Sequence, residues 1–225
     1  MWRHPLLTLF ALTYVVWGAW NWYIGRPVHA PDGILAPDEP TQADVAASTF
    51  AAPHGRWALT PRASYRITAR ILGVERYHLD HLSGLIPEDL ALGWGPMSDN
   101  RILDKMEIYQ SDRFYFWRAP RELPLGREVI VSHSANTHVI PENAAVGRQL
   151  SRLRPGQVVT LAGLLVNARR DDGAWINTSM VRTDTGAGAC EVMLVQEVDT
   201  TPHVYAAAAD VAAPESTAAA SGVTP

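Results

Sequence analysis

One cysteine, Cys190, and one lysine, Lys105, stand in 225 residues. A lone cysteine excludes an internal disulfide and every multi-cysteine metal motif, and it leaves the redox compartment open. Basic residues are also outnumbered. Nineteen Lys and Arg face 23 Asp and Glu, a formal net charge of −4, and no Lys/Arg block offsets that balance. A nucleic-acid binder that works through phosphate charge normally carries a basic excess or stripe, so no nucleic acid is expected as a partner. There is no Gly-x-Ser-x-Gly elbow, no complete dinucleotide glycine loop and no internal repeat. No acid or cysteine stands at a recognised metal spacing from a histidine. These absences predict neither a metal nor a cofactor.

What is present is an uncharged run, Leu6 to Ile24. As a helix its nineteen residues would span about 28 Å, close to the ~30 Å hydrocarbon core of a bilayer. Its clearly polar side chains are Thr8, Thr13 and Asn21, too few for the polar stripe of a buried core helix. Trp17, Trp20, Trp22 and Tyr23 crowd the second half, where rings with one wet edge suit the headgroup layer. A cleaved signal would need a small-residue cleavage site, and Val28-His29-Ala30 is followed directly by Pro31, which hinders cleavage. The expectation is an uncleaved anchor over residues 1–26. The free amine and Arg3 precede the run, whereas Arg26 alone follows it before Asp32, Asp38, Glu39 and Asp44. The positive-inside bias then places the amino terminus in the cytoplasm and, in a bacterium, the bulk of the chain in the periplasm, held to the inner membrane by one pass.

Residues 27–56 hold prolines at 27, 31, 37, 40 and 53 without a sustained hydrophobic period. That composition predicts an extended, solvated spacer. Residues 206–225 are Ala-rich with almost no large apolar side chain, which predicts a disordered tail. Between them, residues 57–205 supply about 150 residues, enough for one domain with a core.

Within that domain Tyr65, Ile67, Ala69 and Ile71 alternate with Arg66, Thr68 and Arg70, the period of a strand with one buried face. Ser98 or Asp99 can cap a short helix carrying Ile102, Leu103 and Met106. Glu107 to Arg118 reads as a strand pair turning near Ser111-Asp112, and Glu128 to Val131 as a short strand. Val146, Leu150 and Leu153 fall at helical spacing, which predicts a helix over 141–153 ended by Pro155-Gly156. Gln157 to Asn167 is apolar on both faces, as a central strand is. Asp171-Asp172-Gly173 then signals a turn into Trp175-Ile176, and Glu191 to Val198 closes the set. The fold expected is α+β: an N-terminal transmembrane helix, then one strand-rich domain whose second half could curl into a small OB-like β-barrel.

Three segments concentrate residue types that do chemistry. In 92–99 a tryptophan stands between two glycines ahead of a helix start, so Trp94 and Ser98 are candidate ligand-binding residues, or a core plug and a cap. In 132–138 His133 and His138 flank Asn136. As a strand the segment would point the two histidines to opposite faces, and only a loop would bring them together. A polar cluster satisfying its own backbone is the competing expectation for this segment. The candidate catalytic set is His133, His138 and Asp99, with Asn136 as a further binding residue. In 182–191 two glycines one residue apart run into a strand, which favours a bulge or turn, with Cys190 as a small buried side chain and Glu191 as a binding candidate.

These blocks, Gly-Trp-Gly-Pro-Met-Ser-Asp (93–99), His-Ser-Ala-Asn-Thr-His-Val-Ile-Pro (133–141) and Thr-Gly-Ala-Gly-Ala-Cys-Glu (185–191), resemble those of a group of bacterial membrane-anchored proteins of unknown function. The resemblance covers most of the folded part. It implies a location and transfers no catalytic role. With the anchor and spacer, it leads to an expected envelope protein, non-catalytic, that binds a protein or envelope component and contacts the bilayer through Leu6–Ile24. The alternative is a membrane-anchored periplasmic hydrolase built on His133, His138 and Asp99.

Overall fold

The structure is a computed structural model that describes residues 5–53, 55–186 and 188–201, without the side chains of 5, 6 and 20–24. Helix α1 is Pro5–Ile24. Strands β1 (Thr41–Asp44), β2 (Phe50–Ala51), β3 (Trp57–Arg76) and β4 (Glu88–Gly93) lead into a 3-10 turn, Gly95–Ser98, and helix α2 (Asn100–Leu103). A hairpin of β5 (Glu107–Ser111) and β6 (Phe114–Arg118) follows, then α3 (Arg127–Ser132), β7 (Ser134–Pro141) and α4 (Ala144–Leu150). Strands β8 (Val158–Arg170), β9 (Trp175–Ile176) and β10 (Glu191–Asp199) complete the chain order. Among the described residues no helix is long and apolar enough to cross a membrane. The expected tail, 206–225, lies outside the described residues.

The domain is a strand-rich α+β fold on one large sheet. Strand β3 pairs with β4, β4 with β7, β7 with β10, β10 with β8, and β8 again with β3. The pairings therefore close into a ring of five strands, antiparallel except between β7 and β10. Closure leaves these strands no free edge to pair with another chain. Alternating positions on all five strands face one cluster, which includes Tyr65, Ile67, Leu92, Val139, Leu161 and Met193. Helix α4 adds Val146 and Leu150 to it. Strand β8 can close against β10 because Gly163 has no side chain: a Cβ there would collide with the carbonyl oxygen of Leu194, beside the β10 bulge between Val195 and Glu197. A second cluster on the other face gathers Leu59, Ile140, Val166 and Leu194 beneath Leu82 and Leu85.

The long alternating strand, the hairpin, the central strand and the return strand stand where the sequence places them. Three segments differ. Glu128 to Val131 lies in helix α3, started by Gly126; four apolar-rich residues carry too little period to tell strand from helix, and burial of Ile130 selects the turn. Helix α4 is shorter than 141–153, because Pro141 ends strand β7 and Asn143 caps the helix by accepting from the N–H groups of Ala145 and Val146. Residues 134–138 are strand, sandwiched between β4 and β10.

The segment expected as a solvated spacer is also held by the domain. Ala36 is fully buried in the main cluster, Val28 N–H donates to Pro155 O at 2.7 Å, and the N–H groups of Leu35 and Ala36 donate to Ser98 Oγ. Strand β1 pairs with β3. Small residues and prolines give no hydrophobic period, yet their backbone groups find partners on the domain, and this binding leaves no trace in composition.

Candidate functional site

The β4–β7 register sets Asp89 directly opposite His138. Strand alternation puts Asn136 on the same face as His138. Strand β10 runs parallel to β7 and starts with Glu191 opposite Thr137, so Cys190, one residue earlier, arrives beside Asn136. Asn136 Nδ2 lies 3.7 Å from Cys190 Sγ.

The side chains are tied in sequence. Asp89 Oδ1 is 2.8 Å from His138 Nδ1, both residues being buried. The hairpin closes over them from outside. Gln110 Nε2 donates to Asn136 Oδ1 at 2.9 Å, Asn136 Nδ2 donates to the Arg113 carbonyl at 3.1 Å, and the Arg113 guanidinium lies 3.4 Å from Asp89. Burial disfavours a charged His138, but the hydrogen-bonding and charge interactions with Asp89 and Cys190 outweigh it and push the imidazole up to about 9. Cys190 Sγ also lies 3.9 Å from the Arg113 carbonyl oxygen. Burial pushes the Glu191 carboxyl up to about 7, with Asp184 adding to the effect and Arg182 and His138 opposing it.

Cys190, half-buried, opens onto a cleft of about 390 Å³. One wall is the hairpin with Phe114, Phe116 and Trp117; the other is the loop from Arg182 to Glu191. Asn136 and Glu191 line it, and Arg127, which lies over the Trp117 ring at 5.2 Å, stands on the same side as the hairpin. Glu191 is 3% exposed, and its Oε2 has no hydrogen-bond partner. His138 does not form part of the wall.

Of the residues singled out in the sequence, Asn136 and Glu191 thus come together. The others lie elsewhere. Trp94 is fully buried in the main cluster. Ser98 accepts from Leu35 and Ala36 and donates to the Gly95 carbonyl. Asp99 caps α2 through the Arg101 N–H and also accepts from Gly33 N–H and the Arg101 guanidinium. His133 Nδ1 meets Val129 O at 2.8 Å, and its ring packs against Gly95. His133, His138 and Asp99 have separate partners, and none of the three lines the cleft.

Asp89 and Arg113 carry no signal in the sequence. Asp89 sits in a strand buried along its whole length, and no local pattern marks it. Cys190, expected as a small buried side chain, is half-buried and lines the cleft. Among the described residues no group of three His, Cys, Asp or Glu is placed to hold a metal ion. Comparison of the chain with protein-family models, curated proteins and solved structures gives no match.

Proposed function

We propose that this is an inner-membrane-anchored envelope protein whose barrel domain faces the periplasm and binds an envelope component in the cleft between the aromatic hairpin and the Arg182–Glu191 loop. The observation that carries this reading is the cleft itself, with an aromatic wall on one side and, on the other, Glu191, whose buried Oε2 has no hydrogen-bond partner. Aromatic faces with a few converging polar groups make a ligand site. The charges at the cleft suit a ligand with an apolar body and an anionic end, met by Arg127 or Arg182. The ring order β3-β4-β7-β10-β8 supports an OB-like barrel by analogy, a class whose second and third strands and fourth-to-fifth loop bind ligands. Strands β4 and β7 and the loop before β10 occupy those places. The acidic net charge disfavours a nucleic acid.

Helix α1 supports the anchor. From Leu7 to Ala19 its side chains are exposed apart from half-exposed Thr8, and Thr13 turns its hydroxyl back to the carbonyls of Leu9 and Phe10. Such back-bonding satisfies a hydroxyl in hydrocarbon. Trp17, Trp20, Asn21, Trp22 and Tyr23 lower the mean hydropathy of the helix, and the same rings suit the headgroup layer.

Two measurements test the proposal. The chain should stay in the membrane fraction through a carbonate wash, and alkaline phosphatase fused after Pro225 should be active. A released chain, or an inactive fusion, overturns the location. Calorimetry of the detergent-solubilised full chain with 2-naphthoate as probe should show saturable binding that Trp117→Ala abolishes. Absence of binding to the folded wild type overturns the cleft.

A further inference from the structure

We propose that the cleft takes the carboxyl-terminal end of an extended polypeptide, which adds a strand to the open edge of β6 and sets its terminal carboxylate against Arg127. The inference rests on the cleft being a ligand site and names its occupant. Asp112 and Arg113 both take left-handed backbone, so β5 and β6 are joined by a two-residue turn that makes Ser111 and Phe114 a hydrogen-bonded pair. Alternation along the ladder then turns the N–H and C=O groups of Phe114 and Phe116 towards β5, and those of Tyr115 and Trp117 away from it. Among the described residues β5 is the one strand paired with β6, and no backbone group bonds to Tyr115 or Trp117 on the far side.

That far side faces the cleft. Phe114, Tyr115, Phe116 and Trp117 all line it, although their side chains alternate between the two faces of the hairpin. The cleft therefore runs along the edge of the strand. A free edge is a template for a further strand, and main-chain hydrogen bonds made there capture extended peptides.

The surroundings select a peptide end. Four residues of β6 offer about 13 Å of edge at ~3.3 Å per residue, room for roughly three or four residues of ligand. Among the described residues the exposed Arg127 guanidinium has the Trp117 ring as its partner and no carboxylate. A terminal carboxylate there completes a charge-assisted hydrogen bond. It also runs the peptide parallel to β6, so that the residue opposite Phe116 donates its N–H to the Tyr115 carbonyl and accepts from the Trp117 N–H. The second edge of the peptide faces Glu191, which lines the opposite wall at 3% exposure with Oε2 unpartnered. Peptide N–H groups on that edge supply donors to this carboxyl. The exposed Phe114 and Phe116 rings give an apolar side chain its footing.

The test uses the detergent-solubilised full chain and acetyl-Ser-Thr-Val-Phe with a free carboxylate as probe. Calorimetry should show saturable binding that 2-naphthoate displaces. The carboxyl-terminal amide of the same peptide should bind about tenfold or more weakly, and Arg127→Met should weaken the acid by a similar factor while leaving the amide unchanged. Hydrogen exchange at the Trp117 amide should slow about tenfold or more on saturation, with the Phe116 amide, already bonded to β5, unchanged. A peptide that does not bind the folded wild type overturns the proposal, and if 2-naphthoate still binds, the cleft stands without it. Binding with unchanged exchange at Trp117 overturns the pairing to β6, and equal affinity for acid and amide overturns the capture of a chain end. Exchange at Trp117 that is already slow without peptide assigns the edge to residues 202–225 of the same chain if dilution leaves it slow, and to a second copy if dilution releases it. Either result overturns a separate polypeptide as the occupant.

Discussion

Arg113 grips Asp80 with two donors, Nε and Nη2, each 2.9 Å from a carboxylate oxygen. The guanidinium also donates to Ile86 O at 3.1 Å and lies 3.9 Å from the centre of the Tyr77 ring. This residue sits at φ 66° in the hairpin turn, beside Asp112 at φ 52°. Left-handed backbone at two non-glycine residues is unfavourable, so the side-chain contacts hold the turn down on the β3–β4 connection. The hairpin that walls the cleft is thereby fastened to the large sheet at the level of Asp89.

Arg113→Ala should destabilise the domain by about 2–4 kcal/mol, since it strips a charged partner from buried Asp89 and releases the turn. Arg113→Lys should recover only part of the loss, because an ammonium cannot reproduce the fork on Asp80. Denaturant unfolding measures the loss. Proteolysis within residues 107–118 should quicken in the same order.

Stability should fall as pH rises from about 5 to 9. His138, raised from 6.5 to about 9, contributes stability that is complete below pH 6.5 and is lost as pH climbs through 9. Burial raises Glu88 and Glu191 from 4.5 to about 7, Asp89 adding to the rise at Glu88 and Asp184 at Glu191. The folded chain therefore keeps protons that the unfolded chain releases, and the slope has the same sign between 4.5 and 7. Thermal melts across this range should show a steady decline in Tm. His138→Gln should flatten its upper part and Glu88→Gln with Glu191→Gln its lower part. A Tm that rises with pH would contradict the assignment.

Gly163→Ala should cost about 1–3 kcal/mol, because the added methyl meets the Leu194 backbone at the β8–β10 seam, where neither strand can move alone. Gly84→Ala provides the contrast. A Cβ there meets nothing within 4 Å, and the expected change is within about 0.5 kcal/mol. Equal effects at the two positions in a chemical melt would remove the steric account of the seam.

Asp99→Ala should lower stability by about 1–2 kcal/mol through loss of the α2 cap and of the tie to Gly33. The depressed pKa of Asp99, caused first by the Arg101 hydrogen bond and opposed by burial, belongs to that cap. Affinity for 2-naphthoate in calorimetry should be unchanged. A selective loss of binding in a well-folded variant would instead return Asp99 to the site.

The sequence by itself determined the parts whose cause is local. The period of Tyr65 to Ile71 made β3, Asp99 made the start of α2, Asp171-Asp172-Gly173 made the turn before β9, and the uncharged Leu6–Ile24 made a helix whose described side chains are almost all exposed. Side-chain alternation and capping act within a few residues, so one chain segment contains all the information they need. The tertiary structure decided what depended on register between distant segments. It assigned 134–138 to strand by pairing both of its edges, drew 28–36 onto the domain through backbone hydrogen bonds, and closed the ring through the β3–β8 seam. It also set Asp89 against His138, and Asn136 against Cys190. Nearly fifty residues separate the first two and more than fifty the last two, and a single-residue slip in either pairing would turn one of them to the opposite face.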